Sequence, residues 1–195
     1  MTAENKTGNT RQRILDTGRE LVLKGGFGGV GLKQLLDCSG VPKGSFYYYF
    51  ASKEAFGCAL LQDYVDDYLR RMDALAQEPG SAGDKLMRFW SAWLDGDEAG
   101  GIAERCLVVK LGAEVSDLSE EMRRILDDGV AQLIGRLAQL LRDGAADGSL
   151  RPQAEPEVAA RLLYAQWLGA AILARLSADR TPLTDSLEDM RRLLP

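Results

Sequence analysis

Gly40-Val41-Pro42-Lys43-Gly44-Ser45-Phe46-Tyr47-Tyr48-Tyr49-Phe50-Ala51-Ser52-Lys53-Glu54-Ala55-Phe56 is a stretch that a helical core does not absorb whole. Pro42 suits a first helical position, where its missing N–H costs nothing, so a short helix is predicted over 42–50. Three consecutive tyrosines do not all face inward on a 3.6-residue repeat. Phe46, Tyr49 and Phe50 share one face, and Lys43, Gly44, Tyr47 and Tyr48 fall on the other. The outward set offers a cation, a backbone open to close approach and two phenolic hydroxyls. Such groups reach phosphate oxygens and base edges. Lys53 follows at the start of the next helix, capped by Ser52, where its charge and the helix N-terminus both attract phosphate.

Upstream, apolar residues Ile14, Leu15, Leu21 and Val22 recur every three to four positions, with Thr10 as a starting cap. That helix is predicted to stop at Lys24-Gly25-Gly26. The run Gly25-Gly26-Phe27-Gly28-Gly29-Val30-Gly31 reads as a turn. It carries no Walker lysine and follows no strand, so it is not a phosphate-cradling loop. A short helix over 32–38 ends at Ser39-Gly40. Helix, turn and short helix make a helix-turn-helix shape or, more plainly, a small three-helix packing unit.

Charge separates these readings. The chain has 195 residues and a net charge of −5, yet residues 1–56 hold eight basic and five acidic side chains, a balance of +3 against −8 for the rest. A basic end on an acidic body suits a nucleic-acid contact at that end.

The remainder reads as further helices: 52–75, ending at Pro79-Gly80; 84–95, capped by Asp84 and stopped at 96–101; 103–114, holding Cys106; 119–147; 156–177; and 183–194. The expected fold is all-α with about nine helices: a three-helix head and a helical bundle. With 46% hydrophobic and 27% charged residues the composition is that of a globular protein. The apolar run 162–174 is interrupted by Gln166 and too short to span a bilayer. The start, 1–13, is polar and unlike a signal peptide, so a cytoplasmic location is expected. Histidine is absent, which excludes Ser-His-Asp and Cys-His catalysis and imidazole zinc sites. Three widely spaced cysteines, Cys38, Cys58 and Cys106, argue against a disulfide framework or a metal cluster. No cofactor or metal is expected. The acidic pairs Glu120-Glu121 and Asp127-Asp128 point apart on a helix and make a poor acid–base site, so no enzymatic activity is expected.

The quoted stretch closely resembles the signature of the TetR/AcrR family of transcriptional repressors, and the resemblance extends over about 10–56. Members are homodimers with two DNA-binding heads on a helical ligand-binding body, and ligand in the body releases the operator. The resemblance implies head and body domains over 1–56 and 57–195. It implies base contacts from Lys33, Lys43, Gly44 and Tyr48, and phosphate contacts from Thr10, Ser45, Tyr47 and Lys53. The partner would be a palindromic double-stranded operator. Three positions depart from the family pattern: Gly31 stands where many members carry Thr or Ser, Pro42 replaces the usual Ser, and Tyr48 the common His.

In the body, the segment 105–123 and Tyr164-Ala165-Gln166-Trp167-Leu168-Gly169 resemble the NemR-type branch. Its members respond to reactive electrophiles and oxidants through a cysteine at the position of Cys106. Neighbouring cations favour the reactive thiolate, and Arg105 and Lys110 are close in sequence. Arg175 stands where that branch implies a lysine; a guanidinium is a poor nucleophile but still attracts a thiolate or sulfenate. The alternative is that Cys106 is a small buried hydrophobe beside Leu107 and Val108, and that a noncovalent hydrophobic or aromatic molecule releases the operator. Cys38 and Cys58 read as structural thiols. Phe89, Trp90, Trp93, Tyr164 and Trp167 recur at helical spacing, which suits core packing and also a pocket lining. Gly169, Ala170 and Ala171, with Leu163, Gln166 and the final helix, suit the dimer packing of two copies through their last two helices.

Overall fold

A computed structural model describes residues 3–94 and 101–195, with side chains from residue 9 onward. The described residues form ten α-helices and one 3-10 turn, with no strand. The helices are α1 Ala3–Gly29, α2 Leu32–Ser39, α3 Lys43–Tyr49, α4 Lys53–Gln77, α5 Ala82–Leu94, α6 Ile102–Arg105, α7 Leu107–Leu118, α8 Glu120–Asp147, α9 Pro156–Ser177 and α10 Thr181–Met190. The 3-10 turn is Arg191–Leu193. The all-α expectation holds. The extra helix arises because the stretch expected as one helix over 103–114 is broken at Cys106, whose backbone is extended (φ −72°, ψ 113°).

The chain divides into two compact units. One comprises Met1–Asp66 with Lys110–Asp127, the other Asp67–Val109 with Asp128–Pro195.

In the first unit α1, α2 and α3 pack on the start of α4. Phe46, Phe50 and Phe56 are buried and form a ring triangle with centroid separations of 5.3–5.8 Å. Such tilted and edge-on pairs are the favoured aromatic geometry. Gly18 lets α1 lie against α4: a Cβ there would sit 2.4 Å from Phe56 Cζ. Across the same interface Arg19 pairs with Asp63 at 2.9 Å. Gly40 ends α2 in the left-handed region (φ 63°), its N–H donating to the Leu36 carbonyl, a C-terminal cap that favours glycine.

The second unit is built on α5, α6, α9 and α10, with the body of α8. Trp90 and Trp167 stack at 4.6 Å with planes 14° apart, and Trp93 lies 5.7 Å from each. The N-terminus of α5 is fully satisfied. Asp147 accepts from the Ala82 N–H and Ser149 Oγ from the Gly83 N–H, both at 2.9 Å, while Ser81 Oγ accepts from the Asp84 N–H at 3.1 Å.

Several boundaries differ from the sequence reading. α1 begins at Ala3, so Thr10 lies inside a helix rather than capping one. Polar residues extend a helix with no apolar period to mark them. Pro42 is the N-cap of α3, in extended backbone, not its first helical residue. Ser81 caps α5, and Asp84 is the third helical residue, accepting the Ser81 N–H in return, a capping box. The final helix starts and ends earlier than 183–194, because the last residues tighten into the 3-10 turn. The expected stop of α5 falls largely on 95–100, outside the described residues.

Candidate nucleic-acid interface and thiol site

The second and third helices present two faces. On α3, Phe46 and Phe50 point into the aromatic triangle and Tyr49 is half-buried, while Tyr48 is 76% and Tyr47 48% exposed. Lys43 and Gly44 are exposed and Ser45 is half-buried. Lys33 is exposed on α2. The outward set read from the sequence therefore lies on one short helix and its neighbour. Nothing lies within 4 Å of a Cβ built on Gly44, so the surface there stays low and a ligand backbone can come close.

Two candidates have a different setting. Thr10 is half-buried within α1. Lys53 is half-buried with its ammonium 5.0 Å from the Phe27 ring centroid, a cation–π contact that holds the charge at the start of α4. Ser52 Oγ accepts the Ala55 N–H at 3.0 Å, capping that helix as expected.

Cys106 is 1% exposed. Its sulfur accepts the Val109 N–H at 3.5 Å, so the thiol caps the N-terminus of α7. A helix N-terminus favours negative charge. The groups beside it are phenols. Burial, then the negative charge available at Cys106, push Tyr164 well above its usual pKa, and the same two causes push Tyr68 up. Both phenols therefore stay neutral. Arg105 and Arg175 are exposed, and Lys110 donates to the Lys24 carbonyl at 3.4 Å.

Phe89, Trp90, Trp93, Tyr164 and Trp167 are all buried and continuous. Trp93 meets Tyr164 edge-on at 6.2 Å, and Phe89 meets Trp90 at 4.7 Å. The indole N–H groups of Trp90 and Trp167 are buried with no hydrogen-bond partner among the described residues. Tyr68, which joins this cluster through Phe89 at 6.3 Å, was missed in the sequence. Its signal was its place on the apolar side of its helix, next to Leu69 and four residues after Tyr64.

The other thiols differ. Cys58 is buried, and burial, then the nearby Glu121 and Glu54 carboxylates, push its pKa up. Such a thiol stays protonated and unreactive. Cys38 is exposed near the end of α2.

Residues 14–56 match the family model for bacterial regulatory proteins of the tetR family, and residues 82–190 match the tetracyclin repressor-like C-terminal domain. The chain belongs to the TetR family. Among its TetR-family relatives, it is 41% identical over 187 residues to the HTH-type transcriptional repressor NemR of Escherichia coli (strain K12), covering 95% of this chain and 94% of that one. The crystal structure of the reduced form of E. coli NemR superposes with a TM-score of 0.87 at 40% identity, over 96% of this chain and 97% of that one. A second TetR/AcrR-family crystal structure matches with a TM-score of 0.87 at 47% identity, over 96% of this chain and all of the other. The three-helix start of a TetR protein is its helix-turn-helix DNA-binding part, which is where Lys33, Lys43, Gly44, Tyr47 and Tyr48 lie. The families and relatives matched are regulators of transcription rather than enzymes. No described helix is long and apolar enough to cross a membrane.

Proposed function

We propose that the chain is a cytoplasmic, homodimeric repressor that leaves its operator when a reactive electrophile or oxidant modifies Cys106. The observation that carries the reading is the Cys106 sulfur at the N-terminus of α7, bonded to the Val109 N–H, in a chain so similar to the repressor NemR. The thiolate is the form that adds to a soft electrophile or is oxidised to sulfenic acid. Modification enlarges the sulfur and removes it as a cap, so a packed site has to rearrange. That rearrangement releases DNA only to the extent that it favours a non-binding arrangement of the dimer.

The head spans 1–56 and the body 57–195. Lys33, Lys43, Gly44 and Tyr48 read base edges, while Thr10, Ser45, Tyr47 and Lys53 hold phosphates. Two heads take half-sites about 34–36 Å apart on a palindrome. Dimerisation through α9 and α10 is supported by the apolar side chains α9 leaves in the open: Leu162 is 65%, Leu173 56% and Leu176 79% exposed, on positions that recur along one face.

A second reading is favoured by the unpartnered indole N–H groups of Trp90 and Trp167. Buried polar groups ordinarily have partners, and a noncovalent aromatic ligand with acceptor oxygens would supply them, leaving Cys106 structural. One experiment separates the two. Binding to a labelled operator duplex is followed by fluorescence anisotropy before and after N-ethylmaleimide, for wild type and Cys106→Ser. Release of wild type alone, with adduct mass on Cys106, supports the thiol reading. Binding by both proteins that ignores the reagent refutes it.

A further inference from the structure

Glu114 does something that neither DNA contact nor thiol chemistry accounts for. α1 breaks at Gly26, whose φ is 76°, so the next two backbone N–H groups leave the helical ladder. Both go to one carboxylate: Phe27 N–H donates to Glu114 Oε2 at 3.0 Å and Gly28 N–H to Oε1 at 2.6 Å. Consecutive N–H groups in such a turn form a concave anion site. One turn earlier on α7, Lys110 donates to the carbonyl of Lys24 at the end of α1, where a cation complements the helix dipole. Residues four apart share a helix face, so α7 offers its anion to the turn and its cation to the helix end.

The glycines are cut to this arrangement. A Cβ on Gly26 would lie 2.8 Å from Glu114 Oε2, and one on Gly28 3.0 Å from Oε1, whereas Gly25, Gly29 and Gly31 meet nothing within 4 Å. The turn leads directly into α2, whose N-cap, Gly31, supplies no side-chain bond. The start of α2, and α3 after it, therefore depend on how the turn is held.

We infer that Glu114, with Lys110, is a positioning residue for DNA binding, through which α7 sets the α1–α2 turn. It touches no DNA; it fixes in advance the placement of α2 and α3, which removes an ordering cost from binding. α7 is also the helix that Cys106 caps, so a change at the sulfur reaches Glu114 along one helix. The coupling half of this inference rests on the Cys106 reading; the positioning half does not.

The test uses the full chain and a labelled operator duplex. Glu114→Gln keeps the shape but turns an NH2 group onto one backbone N–H; expected is about a tenfold weaker Kd. Gly28→Ala crowds the carboxylate from the other side and gives a smaller loss in the same direction, which covers a Glu114 variant that folds poorly. The double variant binds no worse than Glu114→Gln alone, since both disturb one interaction. The slope of log Kd against log salt stays at the wild-type value, because every phosphate keeps its cation. After N-ethylmaleimide, the further loss of affinity is smaller in Glu114→Gln than in wild type. Wild-type affinity in both single variants, additive losses in the double, or a reduced salt slope overturns the positioning role. A wild type indifferent to maleimide overturns the Cys106 reading instead, and positioning is then judged on the unmodified proteins.

Discussion

Two substitutions two residues apart on α3 separate recognition from folding. Tyr48 is 76% exposed and its ring touches Tyr49 edge-on at 5.0 Å. Tyr48→Ala removes little buried area, so stability shifts by no more than about 0.5 kcal/mol. Removing a single base-edge hydrogen bond costs about 0.5–1.5 kcal/mol per head, or about 1–3 kcal/mol for two heads on one duplex, and 1.4 kcal/mol is tenfold in Kd, so affinity falls at least about fivefold. Phe46 is wholly buried, with Phe50 and Phe56 at 5.3 and 5.8 Å. Phe46→Ala therefore costs about 3–5 kcal/mol of stability, and at about 2–4 °C per kcal/mol for a chain of this size the melt falls by roughly 6–20 °C. Melting followed by circular dichroism and operator binding followed by anisotropy read the two effects. An early melt for Tyr48→Ala, or its full retention of affinity, would refute the assignment of the two faces.

Other outcomes follow from the same geometry. Lys53→Met should reduce the salt slope of operator binding by about 0.9 for each phosphate that Lys53 neutralises; an unchanged slope removes Lys53 from the phosphate contacts. Leu173→Glu on the open face of α9 should give a monomer in analytical ultracentrifugation; a persisting dimer places the interface elsewhere. Hydrogen bonds from the Ser81 side chain, then its backbone N–H, hold Asp84 below its ordinary pKa, and those from the Ala82 N–H, then Ser149, do the same for Asp147. A carboxylate whose folded value is depressed stabilises above its unfolded value and loses that contribution as pH falls through the folded one. The melting temperature should therefore hold from pH 7 to about 5 and drop below the ordinary value of 3.8. An Asp84→Asn, Asp147→Asn protein should drop less steeply; an identical fall sinks the assignment.

The sequence spoke most clearly where the physics is local. The alternation of Phe46 and Phe50 with Tyr47 and Tyr48 on a 3.6-residue repeat already separated the faces of α3, Ser52 stood where a cap belongs, and Ser119 stood at the start of the helix expected over 119–147. Ser119 Oγ does accept the Met122 N–H, at 3.3 Å. The break at Cys106 was hidden, because every residue from Ala103 to Glu114 is compatible with one helix; the sulfur cap that accompanies the break is local, but the burial of Cys106 is tertiary. The glycine run announced a turn but not its occupant, since Glu114 lies 86 residues from Gly28 and no local pattern joins them. Lys110 reads as a partner of the thiol on sequence spacing, and only the folded chain shows its ammonium on the Lys24 carbonyl.

The placement of the tryptophans has a practical side. All three in the chain, Trp90, Trp93 and Trp167, belong to the second unit, packed within 4.6–5.7 Å of one another. The head has only tyrosine, phenylalanine and peptide absorbance. Excited at the red edge of the indole band, the unmodified protein becomes its own single-region optical reporter. Emission and near-ultraviolet ellipticity then follow the aromatic cluster in real time, while a dye on the operator follows the head. Comparing the two time courses tells which part of the molecule moves first.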